Sequence, residues 1–221
     1  MISKSFRTSA LLVALVGSTA LSGCALPFLV VGGAMVGGTL IATDRRTTGT
    51  QIDDQGIEVR AGKPIRDILG DRGHVNVTSY NRLVLVTGEV PTDADKAAVE
   101  AAVAKLDNVR SVVNELGAMT ASSLSNRSND TLLTSKVKAT LIDAGDISAH
   151  AFKVVTERNV VYLMGRVTER EATRAVDLVR TIKGVEKVVR VLEVITDAEL
   201  AAIDPRAAPK AAANTPPSPS R

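Results

Sequence analysis

The sequence predicts an α+β protein made of two tandem units, each ordered α-β-β-α-β. Three observations carry this. The run Leu83-Val84-Leu85-Val86-Thr87-Gly88-Glu89-Val90 returns as Val160-Val161-Tyr162-Leu163-Met164-Gly165-Arg166-Val167. Val84, Val86, Gly88 and Val90 match Val161, Leu163, Gly165 and Val167 position by position, at the period-2 spacing of a strand. A helix start follows each run: Pro91-Thr92-Asp93-Ala94-Asp95 after the first, Thr168-Glu169-Arg170-Glu171-Ala172 after the second. Thr168 and Glu171 have the spacing of a capping box. A closing β-rich run then ends each unit, at Val109–Leu116 and Val185–Ile195. A motif that returns within one chain marks a duplicated structural unit.

The first unit spans residues 50–117. Ile57–Arg60 and Ile65–Leu69 suggest a short, poor helix, because Gly62 and Pro64 interrupt it. Val75–Thr78 alternates like a strand, and Tyr80-Asn81-Arg82 turns the chain into the glycine-bearing strand. Asp95–Leu106 is a helix with Val99, Ala102, Val103 and Leu106 on one face. Residues 118–128 are rich in Ser and Asn and read as a linker. The second unit spans 129–196. Asp130 is a possible N-cap for a helix Thr131–Asp143, which places Leu133, Val137 and Leu141 on one face. Phe152–Val155 pairs through Glu157-Arg158-Asn159 with Val160–Val167. The helix Glu169–Ile182 carries Ala172, Ala175, Val176 and Val179 on one face, and Gly184 ends it. Residues 197–221 are dominated by Ala, Pro and Ser and read as a disordered tail. Gly88 and Gly165 sit mid-strand, where glycine is unfavourable unless something approaches closely; the following helix, crossing over each glycine, is the expected neighbour.

Composition narrows the function. The chain has 221 residues with no Trp, three Phe and two Tyr, so its cores are aliphatic. The net charge is +3, but Lys4 and Arg7 lie in the first 23 residues, which hold no acid. That balance is no footprint for bulk nucleic-acid binding. The single cysteine, Cys24, excludes an internal disulfide and a multi-cysteine metal site. His74 and His150 stand alone beside predicted strands. Asp53-Asp54 reads as a solvated turn, the two side chains pointing apart. No residues have the spacing of a nucleophilic, acid–base, phosphate-loop or metal site, so no catalytic residue, metal or cofactor is expected.

The N-terminus reads as an export signal over residues 1–23. Lys4 and Arg7 form a positive n-region, Ala10–Ala20 an apolar h-region, and Leu21-Ser22-Gly23-Cys24 follows. This resembles a bacterial lipobox, in which the Cys24 sulfur takes a diacylglyceryl group, the signal is cut before Cys24, and the new amino group is acylated. The alternative is a chance cysteine after a plain signal. Each buried methylene of such a lipid contributes about 0.8 kcal/mol to anchoring. Ala25, where an Asp would retain a lipoprotein in the inner membrane, implies the periplasmic leaflet of the outer membrane. Residues 24–49 then hold the lipidated cysteine, an apolar stretch and a polar linker. The uncharged stretch 25–42 has 18 residues, at the short limit of a membrane span of about 17–25. Its four glycines weaken an isolated helix, which favours a tether in or near the lipid interface.

The αββαβ order with a glycine in the second strand resembles the BON domain. The resemblance covers Thr50–Ile195. It is carried further by Thr43-Asp44-Arg45, Gly49–Asp54, Ser128-Asn129-Asp130-Thr131, Thr134–Val137 and Leu163–Ala172, which with the lipobox resemble the dual-BON outer-membrane lipoproteins of Gram-negative bacteria. The resemblance implies a three-stranded mixed sheet packed on two helices in each unit. It also implies a non-enzymatic protein that binds anionic phospholipid through its second BON domain. Roles in envelope integrity, at the division site and beside the outer-membrane protein assembly machinery come with it.

The charges of the two units differ. Residues 50–117 hold 8 basic and 11 acidic residues; residues 129–196 hold 11 basic and 9 acidic. An anionic surface favours the second unit, since each Lys or Arg near it contributes about 1 kcal/mol. With Leu133, Val137 and Leu141 inward, Leu132 and Lys136 face outward and Lys138 flanks them. An exposed Leu beside two lysines suits headgroups and acyl chains; these residues alone favour a solvated face with one stray Leu. The resemblance favours lipid. A periplasmic protein-interaction adaptor without direct lipid contact is the alternative.

Overall fold

The structure, a computed structural model, describes residues 44–204. The signal at 1–23, Cys24, the stretch 25–42 and the last part of the tail, 205–221, lie outside the described residues. The first unit runs α1 (Thr48–Leu69), β1 (His74–Tyr80), β2 (Leu83–Val90), α2 (Asp93–Ala104), β3 (Ser111–Ala118). The second repeats it as α3 (Leu124–Asp143), β4 (Phe152–Glu157), β5 (Val160–Val167), α4 (Glu169–Arg180), β6 (Lys187–Val194), with a 3-10 turn at Ala149–Ala151 and a final helix α5 (Asp197–Ile203). Each unit has a three-stranded mixed sheet, the glycine-bearing strand in the centre. β1 pairs antiparallel with β2, and β3 parallel with it across the α2 crossover; β4, β5 and β6 repeat the pattern.

One face of each sheet packs on its own two helices. Val84, Val86 and Val90 meet Ile57, Ala61, Val99 and Val103 in the first unit. Val161, Leu163 and Val167 meet Val137, Leu141, Ala175 and Val179 in the second. The other faces of the two sheets pack against one another, through Tyr80 and Leu85 from the first unit and Tyr162, Met164 and Val191 from the second. The central strands are therefore buried on both faces, which explains their nearly unbroken apolar runs. Ion pairs ring this contact: Lys153 Nζ to Glu58 at 2.7 Å, Arg110 to Glu193 at 3.0 Å and Arg158 to Glu89 at 3.4 Å.

Six expectations change. The first helix is continuous over 22 residues and runs through Pro64. Ile57, Ala61, Ile65 and Leu69, spaced by four, are buried, and their packing outweighs the poor propensity of Gly62 and Pro64. Asp54 is no solvated residue. It is buried and accepts from both amides of the β1–β2 turn, Asn81 N and Arg82 N, each at 2.8 Å. Asn81 and Arg82 have φ of 52° and 63°, the two-residue conformation that matches the twist of a hairpin but that non-glycine residues adopt at a cost. Asp130 is not an N-cap. The helix starts seven residues before it needed to, at Leu124 with Ser123 as cap, and Asp130 does for the β4–β5 turn what Asp54 does for β1–β2, accepting Arg158 N at 2.9 Å and Asn159 N at 3.0 Å.

The polar linker is also structured at its end. Arg45 is buried and donates both terminal nitrogens to Glu171, at 2.7 and 2.8 Å, and to the Arg166 carbonyl at 2.9 Å. Arg46 pairs with Asp54 at 2.8 Å and stacks 4.2 Å over the Tyr80 ring. The segment entering the first helix is thus fixed to both units. In the tail, Asp197–Ile203 forms α5, started by a Thr196–Glu199 capping box, with Leu200 buried. Finally, the close neighbours of the two strand glycines are not helices. A Cβ on Gly88, at φ 115°, would strike the His74 carbonyl oxygen, and one on Gly165 the Ala151 carbonyl oxygen, both on the paired outer strand's side.

Candidate functional site

Helix α3 positions Leu132, Lys136 and Lys138. Ser123 opens it by accepting from Asn126 N at 3.2 Å. Leu133, Val137 and Leu141 are buried against the sheet, which turns the opposite side outward. All three expected residues are exposed there, Leu132 at 62%. Two more large apolar side chains join them: Leu124 at 79% and Ile142 at 61% exposure. Sequence reasoning missed both. Leu124 stood in the Ser/Asn-rich linker, and Ile142 followed the core residue Leu141. Their signal was the recurrence of apolar residues on a second face of one helix.

The polar residues of this side carry little exposed hydrogen-bonding capacity. Ser128 Oγ donates to the Leu124 carbonyl at 3.0 Å, Thr131 Oγ1 to Arg127 at 3.0 Å and Ser135 Oγ to Thr131 at 3.1 Å. Each hydroxyl returns to the carbonyl four residues back, so leaving water costs it less than it would cost a free donor. Charge points the same way. Lys153, Arg158 and Arg166 of the second unit are engaged by Glu58, Glu89 and Glu193. Lys136 and Lys138 make no ion pair among the described residues. Of the two acids in α3, Asp130 is buried under the turn and Asp143 is the last residue.

The equivalent helix of the first unit also exposes apolar residues, Ile52 at 64% and Val59 at 80%, on the unit with the net negative charge. His74 lies 3.2 Å from Asn76, and His150 is exposed in the 3-10 turn. Among the described residues no three His, Cys, Asp or Glu side chains are grouped to hold a metal ion, and no helix is long and apolar enough to cross a membrane. Gly88 and Gly165 are structural, each set where its strand meets a neighbouring carbonyl.

The BON domain matches residues 63–117 and 129–196, which fall within the two units seen in the fold. The chain is 37% identical over 185 residues, 82% of its length and 94% of the relative's, to the outer membrane lipoprotein DolP of Haemophilus influenzae. It is 29% identical over 154 residues, covering 69% and 79% of the two chains, to a protein named 21 kDa hemolysin in Actinobacillus pleuropneumoniae. Among solved structures, a type III secretion structural protein of Chlamydia trachomatis, CdsD, aligns over 66% of this chain and 98% of that one, at 11% identity and a TM-score of 0.27, too distant to carry an argument. The chain therefore belongs to the BON-domain family, as a dual-BON, DolP-like outer-membrane lipoprotein.

Proposed function

We propose that this lipoprotein is anchored through Cys24 and binds anionic phospholipid through the outward side of α3 in its second BON domain, without enzymatic activity. The observation that carries this is the exposed stripe Leu124, Leu132 and Ile142 beside the uncommitted Lys136 and Lys138. Two forces act together. Full insertion of one such aliphatic side chain contributes about 1.5–3 kcal/mol, and each lysine near an anionic surface about 1 kcal/mol. The sum is modest, but an acyl anchor holds the domain at high local concentration beside the bilayer, where weak reversible contact suffices. A protein that contacts the inner surface of the outer membrane in this way suits a role in envelope integrity, at division sites and beside the machinery that assembles outer-membrane proteins.

The test is co-sedimentation of residues 44–221 with vesicles of phosphatidylcholine, with and without phosphatidylglycerol. Binding that requires phosphatidylglycerol, falls with salt and is lost in Leu132→Glu supports the reading. If Leu132→Glu pellets as the parent does, or nothing pellets, the adaptor reading replaces it. For the anchor, Cys24→Ala releases the protein from the outer-membrane fraction or leaves its signal uncut; unchanged fractionation and mass would sink that part.

A further inference from the structure

A groove of about 220 Å³ opens between the C-terminal half of α3 and strand β4, walled by Leu141, Ile142, Ala149, Phe152 and Val154, with Lys138 and His150 beside it. The first unit has a groove at the same place, between α1 and β1. The duplication allows a position-by-position comparison. Asp54 and Asp130, which hold the two hairpin turns alike, make Gly62, Ile65 and Arg66 the counterparts of Lys138, Leu141 and Ile142. Val75 stands opposite Gly88 as Phe152 stands opposite Gly165, so these two correspond as well. The first groove is edged by Glu58, Arg66, His74 and Asn76. In the second, Ile142 replaces Arg66, Phe152 replaces Val75, and a lysine stands where Gly62 was. One ancestral cleft is thus polar in one unit and apolar with a single cation in the other.

We propose that this second-unit groove receives the end of one acyl chain of an anionic phospholipid, with Lys138 against the headgroup. The inference rests on the lipid-binding reading above and makes it specific. Ile142 joins the two surfaces: it walls the groove and is 61% exposed on the outward side of α3. A chain drawn off the outward stripe therefore enters without crossing polar surface. The volume lies below the ~300–1,000 Å³ of sites for drug-sized molecules, which suits a slender chain and not a fused-ring lipid. Lys138 makes no ion pair among the described residues, so its charge is available to a phosphodiester.

Photo-crosslinking in the complete acylated protein tests this. The protein is reconstituted in phosphatidylcholine vesicles with phosphatidylglycerol bearing a diazirine near the end of one acyl chain. Adducts are expected on the peptides holding Leu141–Ile142 and Phe152, about tenfold fewer in Ala149→Trp, which fills the groove, and in Ile142→Ser, which removes one wall at an exposed position and so leaves the core intact. Adducts confined to Leu124 and Leu132, unchanged in both variants, overturn the groove and leave the surface reading standing. Absence of α3 adducts overturns both. Equal groove labelling by a phosphatidylcholine carrying the same diazirine overturns the selection for an anionic headgroup by Lys138.

Discussion

Replacing Asp54 by Ala is expected to destabilise the protein more than the matching change at Asp130, although the two residues occupy the same place in the repeat. Asp54 is 2% exposed and accepts four hydrogen bonds: Ser79 Oγ at 2.6 Å, Asn81 N and Arg82 N at 2.8 Å, and Arg46 Nη1 at 2.8 Å. Removing one partner of a buried ion pair costs about 3–5 kcal/mol, and the low end applies because Arg46 keeps Asp44 as a partner at 2.7 Å. The orphaned Ser79 hydroxyl adds about 1 kcal/mol. Asp54→Ala should therefore cost about 4 kcal/mol by these terms. Asp130 accepts the two turn amides and pairs with no cation among the described residues; two charged hydrogen bonds near a surface turn set its cost at about 2–3 kcal/mol. Urea unfolding at pH 7, followed by circular dichroism, measures both. The pH dependence has a definite sign. Burial pushes the Asp54 carboxyl up, but the bonds from Ser79, Arg82, Arg46 and Asn81 outweigh it and hold the group below its ordinary value. Its contribution is thus fully present above the ordinary aspartate pKa of about 3.9 and lost as pH falls through the lower folded value, so the gap between parent and variant should close in strong acid. Equal costs for the two variants, or an Asp54→Ala cost under about 1 kcal/mol, would refute the reasoning.

Two further perturbations follow from the same geometry. Gly165→Val should destabilise by at least about 1–3 kcal/mol, because the added atoms meet the Ala151 carbonyl and the backbone must shift; Gly88→Val, at φ 115°, adds backbone strain and should cost more, and melting curves that match the parent's would count against both. Glu157 behaves oppositely to Asp54: burial pushes its carboxyl up, Asn76 partly offsets this, and Glu89 and Asp130 push it further, with His74 acting the other way. The penalty for ionising it is absent below the unfolded value and grows as pH rises through the folded one, so Glu157→Gln should raise the urea midpoint at pH 7 and change it less near pH 4; a lower midpoint at pH 7 contradicts this.

The repeat, the strand order and both crossover helices were legible because they rest on local pattern: period-2 runs, Thr caps, helical stripes. The misreadings share a cause. Asp54 meets the turn that it holds 27 and 28 residues away, and Arg45 meets Glu171 126 residues away. In the sequence both were polar residues among polar neighbours, and only the fold supplies their partners. The α1 helix was read short because Gly62 and Pro64 are local signals, while the burial of Ile65 and Leu69 is a tertiary one. The sheet-on-sheet contact did leave a trace. Val160–Met164 is apolar without alternation, the mark of a strand buried on both faces. At the candidate site, Leu132, Lys136 and Lys138 followed from helical geometry once the core face was known; Leu124 was lost with the helix's true start.

The central claim, that the second BON domain and not the first meets the membrane, is tested most directly by a matched pair of double variants on the two equivalent helices. Leu132→Glu with Ile142→Glu alters exposed residues of α3; Ile52→Glu with Val59→Glu alters exposed residues of α1. Both leave the buried cores untouched. Binding of each, as residues 44–221, to phosphatidylglycerol-containing vesicles is measured by co-sedimentation. The account predicts that the α3 pair abolishes binding and the α1 pair leaves it at the parent's level. Loss in the α1 pair with retention in the α3 pair would contradict it.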